Sequence, residues 1–168
     1  MKSKAVKIAF LIILVFGMIL RIYYVFRLPL LSDEKEFLQM ARNVSFNFNS
    51  SLSWLAKDSL LGENVMLSVY GIKSGVLLIG ESPLGIRLFS SLFPAILSLM
   101  LIYFFVKEFW GQRIALFSLG FMTFNQYYLT HSAIATQHFV RQLVILIVLL
   151  LFFRILKKLK KMISIFWE

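Results

Sequence analysis

Residues 88–106 read LFSSLFPAILSLMLIYFFV, nineteen consecutive positions without a charge. A bilayer core about 30 Å thick is spanned by roughly 20 mostly apolar helical residues, so this stretch alone is long enough to cross. Three further runs flank it. Residues 8–20 hold thirteen uncharged positions, 114–140 hold twenty-seven with both histidines neutral, and 142–153 hold twelve. The first and last become spans if each tolerates one flanking arginine. The whole chain is 60% hydrophobic and only 15% charged, whereas a soluble domain is about half apolar and a quarter charged. The expected fold is therefore all-α: a polytopic membrane protein of about four transmembrane helices, with a long outer loop carrying short interfacial helices.

The expected spans are 5–27, 85–106, 113–130 and 135–156, within one membrane domain covering 1–168. A tight charged turn, Lys107 to Arg113, joins the second to the third. A polar turn near Tyr128 to Thr136 joins the third to the fourth. Lys2, Lys4 and Lys7 before an apolar run also resemble the start of a cleaved signal peptide. Arg21, Tyr23 and Tyr24 stand where small residues would be needed for cleavage, so a retained span is the better reading.

Lysine and arginine bias loops to the cytoplasmic side. They concentrate in the N-terminal tail, in the 107–113 turn and in the tail 157–168, which fall on one side if there are four spans. The segment 28–84 has four cations against six acids and belongs outside. This predicts a multi-pass protein of the cell membrane with both termini cytoplasmic. The formal net charge of +10 is then a matter of topology, with no nucleic-acid partner implied. Without cysteine, disulfides, thiolate metal sites and cysteine nucleophiles do not arise.

Within the outer segment, Ser32-Asp33 ahead of Glu36 predicts a capping box opening a short helix near 33–43. A second helix, near 63–79, is apolar but interrupted by Gly71, Lys73 and Gly75, and is read as lying at the interface. A fifth span there would bury Lys73 and reverse the charge bias. Asn43-Val44-Ser45 and Asn49-Ser50-Ser51 match the N-glycosylation tripeptide.

Five residues stand out as candidates for chemistry. Asp33 and Glu34 follow the first span closely, where a carboxylate stays ionised at the boundary and could take a proton from an acceptor hydroxyl. The same pair would also favour the first turn of a helix through its dipole. Arg87, Arg21 and Arg141 are the candidate substrate-binding residues. Arg87 opens the second span and suits a bidentate lipid phosphate or a headgroup anchor. Arg21 lies inside the first span and either snorkels or faces a polar interior. Arg141, placed two turns into the fourth span, is expected to face the bundle. His131 and His138 have no acid or cysteine at ligand spacing, so no metal or other cofactor is assigned, and a divalent metal has no support.

The order of these features resembles the C-type-fold membrane glycosyltransferases, above all the dolichyl-phosphate-mannose–protein mannosyltransferases and the aminoarabinose transferases. Arg21-Ile22-Tyr23 followed by Leu28-Pro29-Leu30-Leu31-Ser32-Asp33-Glu34 resembles that family's exit from the first span. Gly80-Glu81-Ser82-Pro83-Leu84-Gly85-Ile86-Arg87-Leu88-Phe89-Ser90-Ser91 resembles its entry into the second. Phe109-Trp110-Gly111-Gln112-Arg113 resembles its cytoplasmic turn, and Tyr127-Tyr128 with His131-Ser132-Ala133-Ile134-Ala135 its exit from the third span. The resemblance implies a polyprenyl-phosphate sugar as donor, a protein or glycolipid hydroxyl as acceptor, inverting transfer, and Asp33 as base. Two motifs differ: Asn64-Val65-Met66 stands in place of His-Pro-Pro, and Ala135-Thr136-Gln137-His138 in place of Ala-Arg-x-Tyr. Family members are usually much longer, so the chain is expected to be an N-terminal fragment, the product of an interrupted gene, or a small relative. The alternative function is a non-catalytic assembly or regulatory subunit beside a larger membrane protein. A transporter subunit fits less well, because the spans lack paired acids and broken Gly/Pro helices.

Overall fold

The computed structural model describes residues 3–44 and 66–166, and these residues form helices joined by short turns. Ser45 of the first glycosylation tripeptide, the whole of the second and Asn64-Val65 lie outside the described residues. In chain order the elements are α1 (Ser3–Arg27), α2 (Ser32–Asn43), α3 (Met66–Ile79), α4 (Pro83–Arg87) and a π-helical turn (Leu88–Leu92). There follow α5 (Phe93–Trp110), α6 (Gln112–Phe124), α7 (Gln126–Ser132) and α8 (Gln137–Phe166). Among the described residues, three helical stretches are long and apolar enough to cross a membrane: Lys4–Arg27, Pro83–Trp110 and His138–Lys157. A shorter apolar helix covers Leu67–Ile79. The protein is an all-α polytopic membrane protein.

The segment expected as a single third span, 113–130, is two helices. Asn125 leaves the α-helical region (φ −62°, ψ 119°), and its side-chain oxygen accepts a hydrogen bond from the Tyr128 amide at 3.0 Å. Asparagine competes with helical hydrogen bonds by bonding to nearby backbone, so it closes α6 and caps α7. With 13 residues, α6 is about 20 Å long at 1.5 Å per residue, short of the hydrocarbon core.

Side chains sort in the sense expected for lipid. Large apolar residues such as Leu78, Phe117, Phe121 and Ile155 face outward. The buried polar side chains include small hydroxyls, Ser68, Ser90, Ser91, Ser98, Thr123 and Ser132. Where no hydrophobic effect drives helices together, small residues permit the close backbone approach that gives dispersion contact. One apolar cluster joins α2, α3, α4 and the turn before α8 through Phe37, Ala41, Val69, Ile72, Ile86 and Ala135. The other joins α5, α6, α7 and α8 through Ala95, Leu99, Tyr103, Leu119, Tyr128 and Phe139.

The tightest contact lies between α3 and α4. Gly71 and Gly75, four apart and so on one face, press against the chain around Gly85 and Phe89. A Cβ built on Gly75 would stand 2.0 Å from the Gly85 carbonyl oxygen, and one on Gly71 2.9 Å from the Phe89 backbone. Pro94, near the start of α5, has no N–H for the carbonyl four residues back. The π-helical turn lies just upstream, where Ser90 and Ser91 hydroxyls donate to the carbonyls of Ile86 (2.7 Å) and Arg87 (3.0 Å).

Candidate active site at the exit of the first helix

The chain leaves α1 through Leu28-Pro29-Leu30 and turns directly into α2. The backbone carbonyls of this corner have no helical partners and gather around one side chain from a distant element. Arg87, the last residue of α4, donates through Nη1 to the Val25 carbonyl (2.6 Å) and the Leu28 carbonyl (3.0 Å). Its Nη2 donates to the Pro29 carbonyl at 2.9 Å. The remaining donors meet a carboxylate: Nε to Glu34 Oε1 and Nη2 to Glu34 Oε2, both at 2.7 Å. A guanidinium has five N–H groups, so Arg87 is fully engaged.

Glu34 is equally well matched. Its Oε1 also accepts from the Ala135 amide at 2.7 Å, and its Oε2 from the Leu31 amide at 3.0 Å. Both side chains are wholly buried. Burying two charges costs several kcal/mol per ion unless geometry and further hydrogen bonds compensate, and here both conditions are met. The pair fastens together the end of α1, the start of α2, the end of α4 and the turn before α8. The expected capping box takes a different form: Glu34, and not Glu36, reaches back, and it bonds Leu31 ahead of the helix.

These contacts redistribute the expected roles. As the chain stands, Arg87 has no donor left for a lipid phosphate, and the Glu34 carboxylate faces no open surface. Asp33, its neighbour in the first turn of α2, is exposed and makes no hydrogen bond among the described residues. The structure therefore brings Glu34 and Arg87 together, and of the two acids it leaves only Asp33 outward.

Arg21 does not snorkel. It is wholly buried, donates from Nη1 to the Gly17 carbonyl at 2.9 Å, and lies over the Tyr128 ring with Cζ 5.3 Å from the centroid. Gly17 makes room for it, since a Cβ there would stand 3.2 Å from Nη1. A cation over an aromatic face gains electrostatically, and more so when desolvated. Arg141 is corrected in the opposite direction: it is exposed and does not face the bundle. The reason is the start of α8 at Gln137, which puts Arg141 one turn from the helix end instead of two. His131 and His138 approach with ring centroids 6.2 Å apart, and Tyr127 packs on His131 at 4.1 Å. Among the described residues no three metal-ligating side chains come together.

Sequence reasoning treated Glu34 and Arg87 as separate candidates and missed their pairing. The available signal was that each sits at the outer end of an apolar run, where a buried charge requires an opposite partner. It missed the Ala135 amide altogether, because a backbone donor leaves no trace in residue type.

A second, exposed ion pair braces α2 from the side. The Arg42 guanidinium donates to both oxygens of Glu81, with Nε–Oε1 at 2.8 Å. Nearby, the Lys73 ammonium donates to the Val44 carbonyl. The hydrogen bonds from Arg42 hold the Glu81 carboxyl below its ordinary value of 4.5. A depressed carboxylate stabilises the fold above its unfolded pKa and loses that contribution as pH falls through the folded one. The bracing between α2 and the α3–α4 turn is thus expected to persist at neutral pH and weaken below about 4.5. Exchange of the Arg42 Nε–H, followed by NMR in detergent, should be slower than in Glu81→Gln at the same neutral pH. That protection, the ratio of the two rates at each pH, should fall towards one over the acid range.

The family model described as Dolichyl-phosphate-mannose-protein mannosyltransferase matches residues 64–166, more than half of the chain. The chain belongs to this mannosyltransferase family. No curated protein and no solved structure matches it. The family match takes in α3 through α8, hence Arg87 and the Ala135 turn, while Asp33 and Glu34 precede it. The two acids are joined to the matched region physically, by the bonds from Arg87 and from the Ala135 amide to Glu34. Membership in this mannosyltransferase family supports a membrane glycosyltransferase-type function.

Proposed function

We propose that this chain takes part in transferring a sugar from a polyprenyl-phosphate donor to a protein or glycolipid hydroxyl, with Asp33 as the general base. The supporting observation is the division of labour within the acidic pair. Glu34 is consumed by Arg87, whereas Asp33 is presented outward from a helix start that the Glu34–Arg87 pair holds in place. In an inverting step the acceptor oxygen forms a bond to the anomeric carbon as the bond from that carbon to the phosphate oxygen breaks. The hydroxyl proton passes to the Asp33 carboxylate, and the polyprenyl phosphate departs with the bonding electrons. Glu34 and Arg87 are positioning residues in this reading. The reading takes α6 and α7 together as the return crossing, since the end of α5 meets the end of α8 at Glu108–Arg154 while the turn before α8 meets Glu34. With that crossing the lysine and arginine bias puts the Asp33 corner on the outer face of the cell membrane and both termini in the cytoplasm.

General base catalysis contributes about 10²–10⁴-fold, so Asp33→Asn should lower transfer by that factor at unchanged expression. The assay follows label from a polyprenyl-phosphate sugar into acceptor, in membranes carrying the protein with whatever partners it has there. Undiminished transfer would remove Asp33 from the mechanism. The non-catalytic reading rests on Thr136 and on Asn64-Val65-Met66 at positions where the family's motifs read otherwise. It expects a stable complex with a larger membrane protein in mild detergent, and transfer indifferent to Asp33→Asn.

A further inference from the structure

The opposite end of the bundle has a chemistry of its own. At 30 residues, α8 is about 45 Å long, enough to cross the hydrocarbon core and both headgroup layers. Its apolar stretch runs to Lys157, and Arg154, Lys157, Lys158, Lys160 and Lys161 crowd its last turns. At 100° per residue these five positions occupy an arc of about 160°. Positions 155, 156, 159, 162, 163 and 166, all apolar, occupy a facing arc of about 120°. Ile155, Leu156 and Leu159 are exposed.

The α5–α6 corner adds to this end. Glu108 accepts from Arg154 at 3.3 Å and lies 3.6 Å from Lys157, and the Lys157 ammonium stands 6.0 Å from the Phe109 ring centroid. Trp110 is exposed beside them, as interfacial tryptophans are. Residues 107–113 and 154–168 together hold seven cations and two acids, so pairing within the chain leaves a large positive excess. Clusters of four to eight lysines and arginines next to a membrane helix attract anionic headgroups, at about 1 kcal/mol per cation near the surface.

We propose that the last turns of α8, with the α5–α6 corner, form a docking surface for anionic phospholipid headgroups. The apolar arc lies against acyl chains while the basic arc meets phosphates. The charge excess, the facing arcs and the aromatic rim select a lipid surface and not a soluble acidic protein.

The test reconstitutes the full chain into nanodiscs from phosphatidylcholine with a minority of phosphatidylglycerol, then measures the ratio retained by the detergent-extracted protein. Phosphatidylglycerol should be retained several-fold above its bulk share and lost as sodium chloride is raised. The triple variant Lys158→Gln, Lys160→Gln and Lys161→Gln should lose the enrichment, and the same three positions changed to arginine should keep it. Retention of enrichment in the glutamine variant, or indifference to salt in the unaltered protein, would overturn the proposal. So would an equal loss in Lys35→Gln with Lys57→Gln, which removes charge from the 28–84 segment instead. Should the glutamine variant fail to fold, the salt response and the arginine variant still decide.

Discussion

Arg87→Met should cost about 3–5 kcal/mol of stability, enough to remove much of a membrane protein's margin. The substitution strips Glu34 of its bidentate partner while leaving the carboxylate buried, and it orphans the carbonyls of Val25, Leu28 and Pro29 together. Glu34→Leu leaves the opposite charge alone and should be destabilising in the same sense. The double variant Glu34→Leu with Arg87→Met is the informative comparison. Apolar replacement of both partners removes the uncompensated charge, so it should recover stability relative to either single variant. Thermal unfolding of the detergent-solubilised protein, followed by far-UV circular dichroism, gives all three values. Additivity of the two single losses in the double variant would mean that the pair does not act as a unit.

Gly75→Val should produce the second large effect, about 1–3 kcal/mol and towards the upper end. The usual relief for an added side chain is movement of a neighbouring one, but here the obstacle is backbone. The Gly85 carbonyl oxygen lies 2.0 Å from the first added carbon, so α3 must lift away from α4. Lifting it disturbs Ile86 and Arg87, so the loss should spread to the buried pair. Gly120→Ala makes a fair control, since a Cβ there meets nothing within 4 Å. A lower unfolding temperature for Gly75→Val, with Gly120→Ala equal to or slightly above the unaltered protein, is the expected pattern.

Long-range order was legible in the sequence to different degrees. The span around 88–106 announces itself, because an uncharged run of membrane length has few other uses, while the first and last were legible only by allowing each a flanking arginine. The short helices at 32–43 and 66–79 were visible through their apolar stripes and flanking polar residues. The break at Asn125 was hidden by composition. Asn125 and Gln126 sit in a run whose apolar content reads as one span, and neither glycine nor proline marks the place. Arg21 illustrates a different limit. Whether an arginine in a span turns inward or snorkels depends on what faces it, here Gly17 on its own helix and the Tyr128 ring a hundred residues away. The candidate site was legible as a list of charged residues but not as an arrangement. Glu34 and Arg87 are 53 positions apart, and nothing in either neighbourhood names the other. Family resemblance located both motifs, and only the folded backbone shows that one closes on the other.

The π-helical turn at Leu88–Leu92 bears on this closure. Relative to an unbroken α-helix, such a turn inserts one residue, and one residue is about 100° of rotation. It therefore acts as a phase shifter between the long α5 rod and the short α4 that carries Arg87. Lipid contact and the packing of Leu99 and Tyr103 dictate how α5 must be rolled. The carbonyl ring at the end of α1 dictates the roll of Arg87. A uniform helix could obey one demand or the other, and the inserted residue lets a single span obey both.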